Sequence, residues 1–386
     1  MPHYRRVGNV PAKRHTHHLP DGQRRHEELM GHAGFSDSSA ILYHRHSPSA
    51  IESVRPVPNP TRSADATADR PLVPRHIRTS ALESGPNLVT GRTLMLTNND
   101  VSIAWAKAES DSPLYRNVSG DEIIFVQSGR LLMESVFGSI AADPGDYLVI
   151  PAGVTHRWVV VGDQASALVI ESNGHVAPPD RYLSPRGQFL EHAPYCERDI
   201  RSPGQPLLVE GAHIEVLVRN RAGWSCQVHA NHPFDVDGWD GGLYPWALAI
   251  SDFEPIVGSI HQPPPVHQTF QAPGIVVCSF VPRLFDFHAD AVKVPYYHAN
   301  IDSDEVLFYS DGDFMSRKGS GIGAGSLSFH PAGFTHGPQP GSLEASLDAD
   351  RTGETAVMID TFAPLTVSAA ARAASDPEYP TTWLTD

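Results

Sequence analysis

Apolar residues in this chain come in short runs separated by turn formers. Stretches such as Ile123–Val126, Tyr147–Ile150 and Ala356–Thr361 are built from Val, Ile, Phe, Tyr and their neighbours, and each is closed by Gly, Pro, Asn, Asp or Ser. Runs of this length and composition predict strands joined by many loops. Long helical periodicity is absent. Short helices are expected at Gln23–Met30 and at Thr366–Ala374, the second rich in Ala, and Pro255–Ile260 is strand-like. The stretch Pro48–Arg75 sets prolines among Ser, Thr, Asp and Arg, as an arm or linker laid on a surface would, and residues 1–15 are basic and extended in character.

The strand pattern repeats. Tyr115-Arg-Asn-Val-Ser-Gly-Asp-Glu122-Ile-Ile-Phe-Val-Gln-Ser-Gly129 matches His298-Ala-Asn-Ile-Asp-Ser-Asp-Glu305-Val-Leu-Phe-Tyr-Ser-Asp-Gly312, with Tyr297 as the alternative partner of Tyr115. Gly145-Asp-Tyr-Leu-Val-Ile-Pro-Ala-Gly-Val-Thr-His156 matches Gly325-Ser-Leu-Ser-Phe-His-Pro-Ala-Gly-Phe-Thr-His336. Glu122 and Glu305 lie 183 positions apart, as do Gly129 and Gly312; Gly145 and Gly325, like His156 and His336, lie 180 apart. A constant offset over two motifs marks two copies of one β module.

Composition then narrows the chemistry. At 386 residues the chain is long enough for two domains or one large duplicated one. Lys+Arg 29 against Asp+Glu 44 gives a formal net charge of −15, which repels nucleic-acid phosphates and anionic lipid, so neither is expected as a partner. No apolar run is long enough to span a bilayer, and the widely spaced Cys196, Cys226 and Cys278 form no CxxC pair, so a cytoplasmic protein is expected. Histidine occurs 21 times, often beside Pro, Gly or aromatic residues. It is the commonest metal ligand and the near-neutral acid and base.

Each module reads as strand, Gly turn, strand, and then a strand ending in Pro-Ala-Gly-x-Thr-His. These residues resemble the cupin family, small double-sheet barrels of the jelly-roll class with metal ligands inside the barrel. The expected fold is therefore mostly β: a bicupin of two jelly-roll modules, the first degenerate, with an extended N-terminal arm and a few short helices. The expected boundaries are 1–85 for the arm and linker, 86–175 for the degenerate module, 176–254 for a connecting β region and 255–386 for the metal-binding module. In cupins the first motif offers His-x-His and then Glu, and the second a further His. The C-terminal copy keeps His298, Glu305 and His336, with Asn300 at the second His position, while the N-terminal copy keeps Glu122 and His156 but has Tyr115, Arg116 and Asn117 in place of the histidines. Two imidazoles and one carboxylate leave positions open for substrate and O2 on a non-haem Fe(II).

A closer resemblance runs through most of the chain. His232-Pro-Phe-Asp-Val-Asp-Gly-Trp239, Pro282-Arg283, Pro295-Tyr-Tyr-His298 and His330-Pro-Ala-Gly-Phe-Thr-His-Gly-Pro338 resemble the homogentisate 1,2-dioxygenase family, and the segments around Glu27–Tyr43 do so more weakly. The resemblance implies a ring-cleaving dioxygenase that takes a small aromatic dihydroxybenzene and O2, in a homo-oligomer, a trimer or trimer-based hexamer. It places the iron ligands on His298, Glu305 and His336, with Asp304 as the neighbouring rival of Glu305. It places a further active-site histidine on His330 and the catalytic base on His261, with His267 in reserve. Tyr297, together with Tyr296, Phe308, Phe314 and Phe329, would wall the pocket. Family members carry a Tyr where this chain has Phe314, and there it helps hold the substrate's acetate. Losing that hydroxyl and gaining Asp313 disfavours a carboxylate-bearing substrate unless Arg283, Arg317 or Lys318 compensates. A neutral or differently substituted hydroquinone is the alternative, and a metal-dependent isomerase or a non-enzymatic binding protein are rivals of another class.

Overall fold

The computed structural model describes residues 3–61 and 65–384. The chain is built almost wholly of antiparallel strands in two curled modules with an N-terminal sheet packed beside them. That sheet has four strands in the order Arg5–Gly8, Val236–Gly241, Ser39–His44, His26–Gly31, and the Ser39–His44 strand is buried along residues 40–44. Among the described residues no helix is long and apolar enough to cross a membrane.

The first module centres on three long strands. Glu122–Ser135 pairs with Asp146–Ile150 on one side and with His156–Ser172 on the other, and His156–Ser172 continues to Val101–Ala108 and Thr93–Thr97. The second module orders its sheet as Gln268–Ala272, Ile275–Phe280, Thr355–Thr361, Asp304–Asp311, Ser326–His330 and Arg75–Arg78. Its last strand therefore comes from the N-terminal part of the chain, whereas Thr366–Ser368 pairs with Thr93–Thr97 of the first module. Each module lends the other an edge strand, which removes two exposed ladders.

The repeat is exact in space as well as in sequence at its key contacts. Tyr115 faces His156 across strands, and His298 faces His336. Gly153 N donates to Asn117 O at 2.7 Å, and Gly333 N to Asn300 O at 2.7 Å. Asp121 accepts from Ala152 N at 2.8 Å, as Asp304 does from Ala332 N at 2.8 Å. This register aligns Tyr115 with His298 and leaves Tyr297 unmatched. Gly129 and Gly312 both hold positive φ, and a Cβ at either would lie 2.2 Å from a carbonyl of the next strand, so only glycine fits these turns.

Three local expectations differ from the structure. Gln23–Met30 is not a helix: residues His26–Gly31 form a strand, because the ladder to the buried strand Ser39–His44 outweighs the helix preference of Glu, Leu and Met. Thr366–Ala374 divides into a strand Thr366–Ser368 and a single helical turn Ala369–Ala373, whose Ala371 N–H is capped by the Ser368 hydroxyl. Pro255–Ile260 carries no strand. The expected surface arm contains Ile51–Val57, a mostly exposed strand lying on Gly223–His229; positions 62–64 of that arm lie outside the described residues.

Inside the first module Glu122 is fully buried and receives both guanidinium branches of Arg92, at 2.9 and 3.1 Å, together with the Tyr115 hydroxyl at 3.0 Å and the Asn117 amide at 3.1 Å. Arg92 also contacts Glu171. Burial alone would raise the Glu122 carboxyl, but Arg92 and its other donors hold it down at about 2. Replacing Arg92 by Met leaves Glu122 without a cation in the core, while Glu171 keeps Arg219, and urea denaturation is expected to show a loss of about 3–5 kcal/mol. Adding Glu122→Gln to that variant should recover part of it.

In the N-terminal sheet, buried His44 bonds Asp235 at 2.6 Å and Glu28 at 3.0 Å. Burial lowers its pKa, but the two carboxylates outweigh burial and raise it to about 9. The imidazolium stabilises the fold fully below its unfolded pKa near 6.5, and the gain is lost as pH rises through 9. Denaturation of the wild type relative to His44→Asn should show about 3 kcal/mol disappearing across that window.

Candidate metal centre

Glu305 is the second residue of the strand Asp304–Asp311, and pleat alternation turns it into the barrel while Asp304 turns out to bond Ala332 N and Leu365 N. His336 follows the Pro-Ala-Gly turn and faces His298 across two backbone bonds of 2.8 and 2.9 Å. Three donor groups from three places in the sequence thus meet: one atom each of His298, Glu305 and His336 lies within 4.8 Å of the others. Asn300 takes no part in this set; its amide bonds Asp360 at 3.3 Å.

Both histidines are held in one tautomer. His298 Nδ1 lies 3.0 Å from Tyr296 O, and His336 Nδ1 lies 3.0 Å from Phe334 O. A carbonyl can only accept, so Nδ1 carries a proton and Nε2 is the atom aimed at Glu305, at 3.4 Å from His298 and 3.1 Å from His336. Neutral rings in this posture would point lone pairs at a carboxylate. A cation among the three groups resolves that repulsion, and the donor set fits a divalent transition ion with open positions. His156 keeps the same posture in the first module, with Nδ1 3.1 Å from Val154 O and its buried Nε2 without a partner among the described residues. There Arg92 supplies the positive charge.

Behind the cluster, His330 is buried and stacked on His336 with centroids 3.8 Å apart. Its Nδ1 bonds Glu305 at 3.1 Å, so its Nε2 accepts the Tyr379 hydroxyl at 2.9 Å. Burial drives its pKa down to about 3, which keeps it neutral. Burial would raise Glu305, yet the three histidines around it, His298, His330 and His336, hold it well below the carboxylate range.

A cavity of about 210 Å³ opens onto His298 and Glu305. His261, His267, Arg283 and Asp360 are among its walls. His261 is partly exposed at the mouth, with Nδ1 3.3 Å from Asp286. His267 stacks on Phe280, and its buried Nδ1 lacks a partner among the described residues; burial first, then Arg283, lowers it to about 3. Arg283 bonds Glu354 at 3.2 Å. Burial pushes Asp360 up to about 7, with the charge of Glu305 adding to the effect.

Six sequence-derived positions lie off this cavity: Tyr296, Tyr297, Phe308, Phe314, Phe329 and His330 do not line it, Phe308 and Phe329 being buried in the main core. Phe314 packs edge-on against Tyr309 at 4.9 Å in a small apolar cluster, because the turn at Gly312 carries it behind the sheet. Tyr297 is 61% exposed, turned out at the loop before His298. His330 sits on the far side of Glu305 from the cavity, engaged at both ring nitrogens. Arg317, expected only as a compensating partner for a substrate carboxylate, bonds the Tyr309 hydroxyl through Nε at 3.0 Å and reaches Gly337 O at 2.8 Å; sequence reading missed Tyr379 and Trp383. Two aromatics four residues apart in an otherwise polar tail were the available signal for the last pair.

Comparison with known proteins agrees with this architecture. A family profile described as Homogentisate 1,2-dioxygenase N-terminal matches residues 61–250. A relative from Saccharolobus solfataricus, provisionally named a dioxygenase, is 40% identical over 391 residues, covering all of both chains. Homogentisate 1,2-dioxygenase of Bradyrhizobium diazoefficiens is 27% identical over 283 residues, 70% of this chain and 61% of that protein, so the match spans about three-fifths of the relative. A cupin 2 conserved barrel domain protein from Leptotrichia buccalis aligns with a TM-score of 0.38 at 10% identity, over 76% of this chain and 98% of its own. The chain belongs to the homogentisate 1,2-dioxygenase family, as a divergent member.

Proposed function

We propose that the protein is a non-haem Fe(II) dioxygenase that cleaves a dihydroxybenzene ring and inserts both atoms of O2. The observation that carries this reading is the pair of tautomer-locked histidines aiming Nε2 at Glu305 beside a cavity wide enough for a single ring. An Fe(II) held by His298, Glu305 and His336 would supply open positions for O2 and a ring oxygen, and the electrons that activate O2.

The remaining work falls to side chains. His261, oriented through Nδ1 by Asp286, presents Nε2 to take a phenol proton, in the manner of a carboxylate-held base. His267, kept neutral by burial, lines the wall and accepts a hydrogen bond from the substrate's other hydroxyl. His330 and Tyr379 fix the Glu305 carboxylate and are positioning residues. Phe280, Leu307 and Met358 exclude water from the cavity.

Charge favours a ring without a carboxylate. Arg283 is spoken for by Glu354, and Arg317 by Tyr309 and Gly337, while Glu354, Asp360 and Asp286 add acid to the walls. The third cation on the wall, Lys293, donates to the Asp286 carbonyl, so each cation lining the cavity among the described residues already has a partner; a neutral substituted hydroquinone is the preferred substrate and homogentisate the poorer one.

Oxygen uptake by the Fe(II)-loaded protein, with product mass, tests the class: turnover should add two oxygen atoms to a hydroquinone, and silence across the phenol panel or anaerobic turnover would sink it. His298→Ala and His336→Ala should abolish uptake and lose iron. His330→Gln should weaken iron binding about 10- to 100-fold. His261→Asn should lower kcat about 100-fold, an effect His267→Asn should not share. Glu354→Gln, by freeing Arg283, should raise kcat/KM for homogentisate relative to the neutral ring; an unchanged ratio would refute the charge argument.

A further inference from the structure

A second cluster of metal-ligating side chains lies outside the barrel, where the first module meets the N-terminal sheet. His32 follows the strand His26–Gly31, Asp121 precedes the strand Glu122–Ser135, and His175 follows the strand His156–Ser172. One donor atom from each lies within 4.8 Å of the other two, and the two imidazoles pack with centroids 4.2 Å apart. Nothing in the proposed reaction uses them.

The arrangement exceeds what holding the fold requires. Asp121 accepts Ala152 N at 2.8 Å and Val176 N at 2.9 Å, and in the other module Asp304 accepts Ala332 N and Leu365 N in the same way. Pro364 stands before Leu365 where His175 stands before Val176, so the aspartate does its structural work without a histidine. His175 Nδ1 bonds Asp121 Oδ2 at 2.7 Å, which orients the ring as carboxylates orient metal-bound histidines. His32 has both ring nitrogens buried with no partner among the described residues, and its Nε2 is 3.9 Å from Asp121 Oδ1, too far for a hydrogen bond. Leaving such a ring unsatisfied costs about 1–3 kcal/mol.

We infer that His32, Asp121 and His175 bind a divalent transition ion of the Zn2+ class. Two imidazoles and a carboxylate suit that class better than Mg2+ or Ca2+, which prefer oxygen cages. Closing the donors from their present spacing to the roughly 3.3 Å of a tetrahedral zinc needs only side-chain rotation. His32 and His175 keep 17% and 24% side-chain exposure, which leaves an entry path, while Asp121 is at 1%. The ion would staple the N-terminal sheet to the shared end of the paired strands Glu122–Ser135 and His156–Ser172.

Equilibrium dialysis of the full chain against Zn2+, with metal analysis, tests this independently of activity. Wild type should hold two equivalents, His32→Gln and His175→Gln one each with about 100-fold weaker occupancy of the other, and both should keep wild-type oxygen uptake once iron-loaded. His298→Ala should also hold one, and this one should vanish when His32→Gln is added. Co2+ bound to His298→Ala should give visible ligand-field bands that His175→Gln removes. Binding by His32→Gln and His175→Gln equal to wild type, or no ion in His298→Ala, would overturn the proposal. One equivalent in wild type that His32→Gln removes and His298→Ala leaves would support it and count instead against the barrel site.

Discussion

A carboxylate at the centre of a β-barrel must be given a positive partner, and the two modules meet that requirement in different ways. Glu122 and Glu305 occupy the same register, each buried and each on the first turn of the same strand pairing. In water either would keep its charge at no cost; inside the sheet it needs compensation or a proton. The first module answers with Arg92, covalently part of the chain and always charged. The second answers with imidazoles that can hand their lone pairs to an ion. Divergence after duplication thus came down to which cation the buried acid accepts, and the loop carrying Arg92 decided it for one half.

The surroundings of the second acid follow from the same constraint. Glu305 can remain ionised only if its geometry is fixed, and that fixing is done from outside the cupin motifs. His330 carries a hydrogen-bond chain from the carboxylate to Tyr379 in the C-terminal segment, and Arg317 and Trp383 both donate to Gly337 O, at 2.8 and 3.1 Å. The cavity side of Glu305 stays open, and its far side is tightly engaged. An open face and a rigid back are what a centre that exchanges ligands needs.

The motifs that were readable in the sequence are those with local or repeated signatures. Spacing and the offset between copies gave the strands, the twin modules and the meeting of His298, Glu305 and His336. Alternation admitted only one of Asp304 and Glu305 to the barrel, and the repeat match with Glu122 chose Glu305. What escaped were long-range answers: Arg92 reaches Glu122 from a loop with no motif, Arg75–Arg78 joins a sheet whose other strands lie far downstream, and Tyr379 is visible only as an aromatic in a tail. His26–Gly31 misled because its residues favour a helix while its partner strand does not. Phe314 misled in a different way, since a family position for a substrate contact here faces the core.

The exchange of edge strands has a consequence for how the chain is made. Arg75–Arg78 leaves the ribosome long before Ser326–His330, the strand it completes, and Thr93–Thr97 long before Thr366–Ser368. Neither sheet can close until its late strand has emerged, so the growing polypeptide carries two unpaired ladders over some hundreds of residues of synthesis. The ligands of the second barrel come together only after His336 has followed, so the pocket is among the last parts of this fold to be assembled.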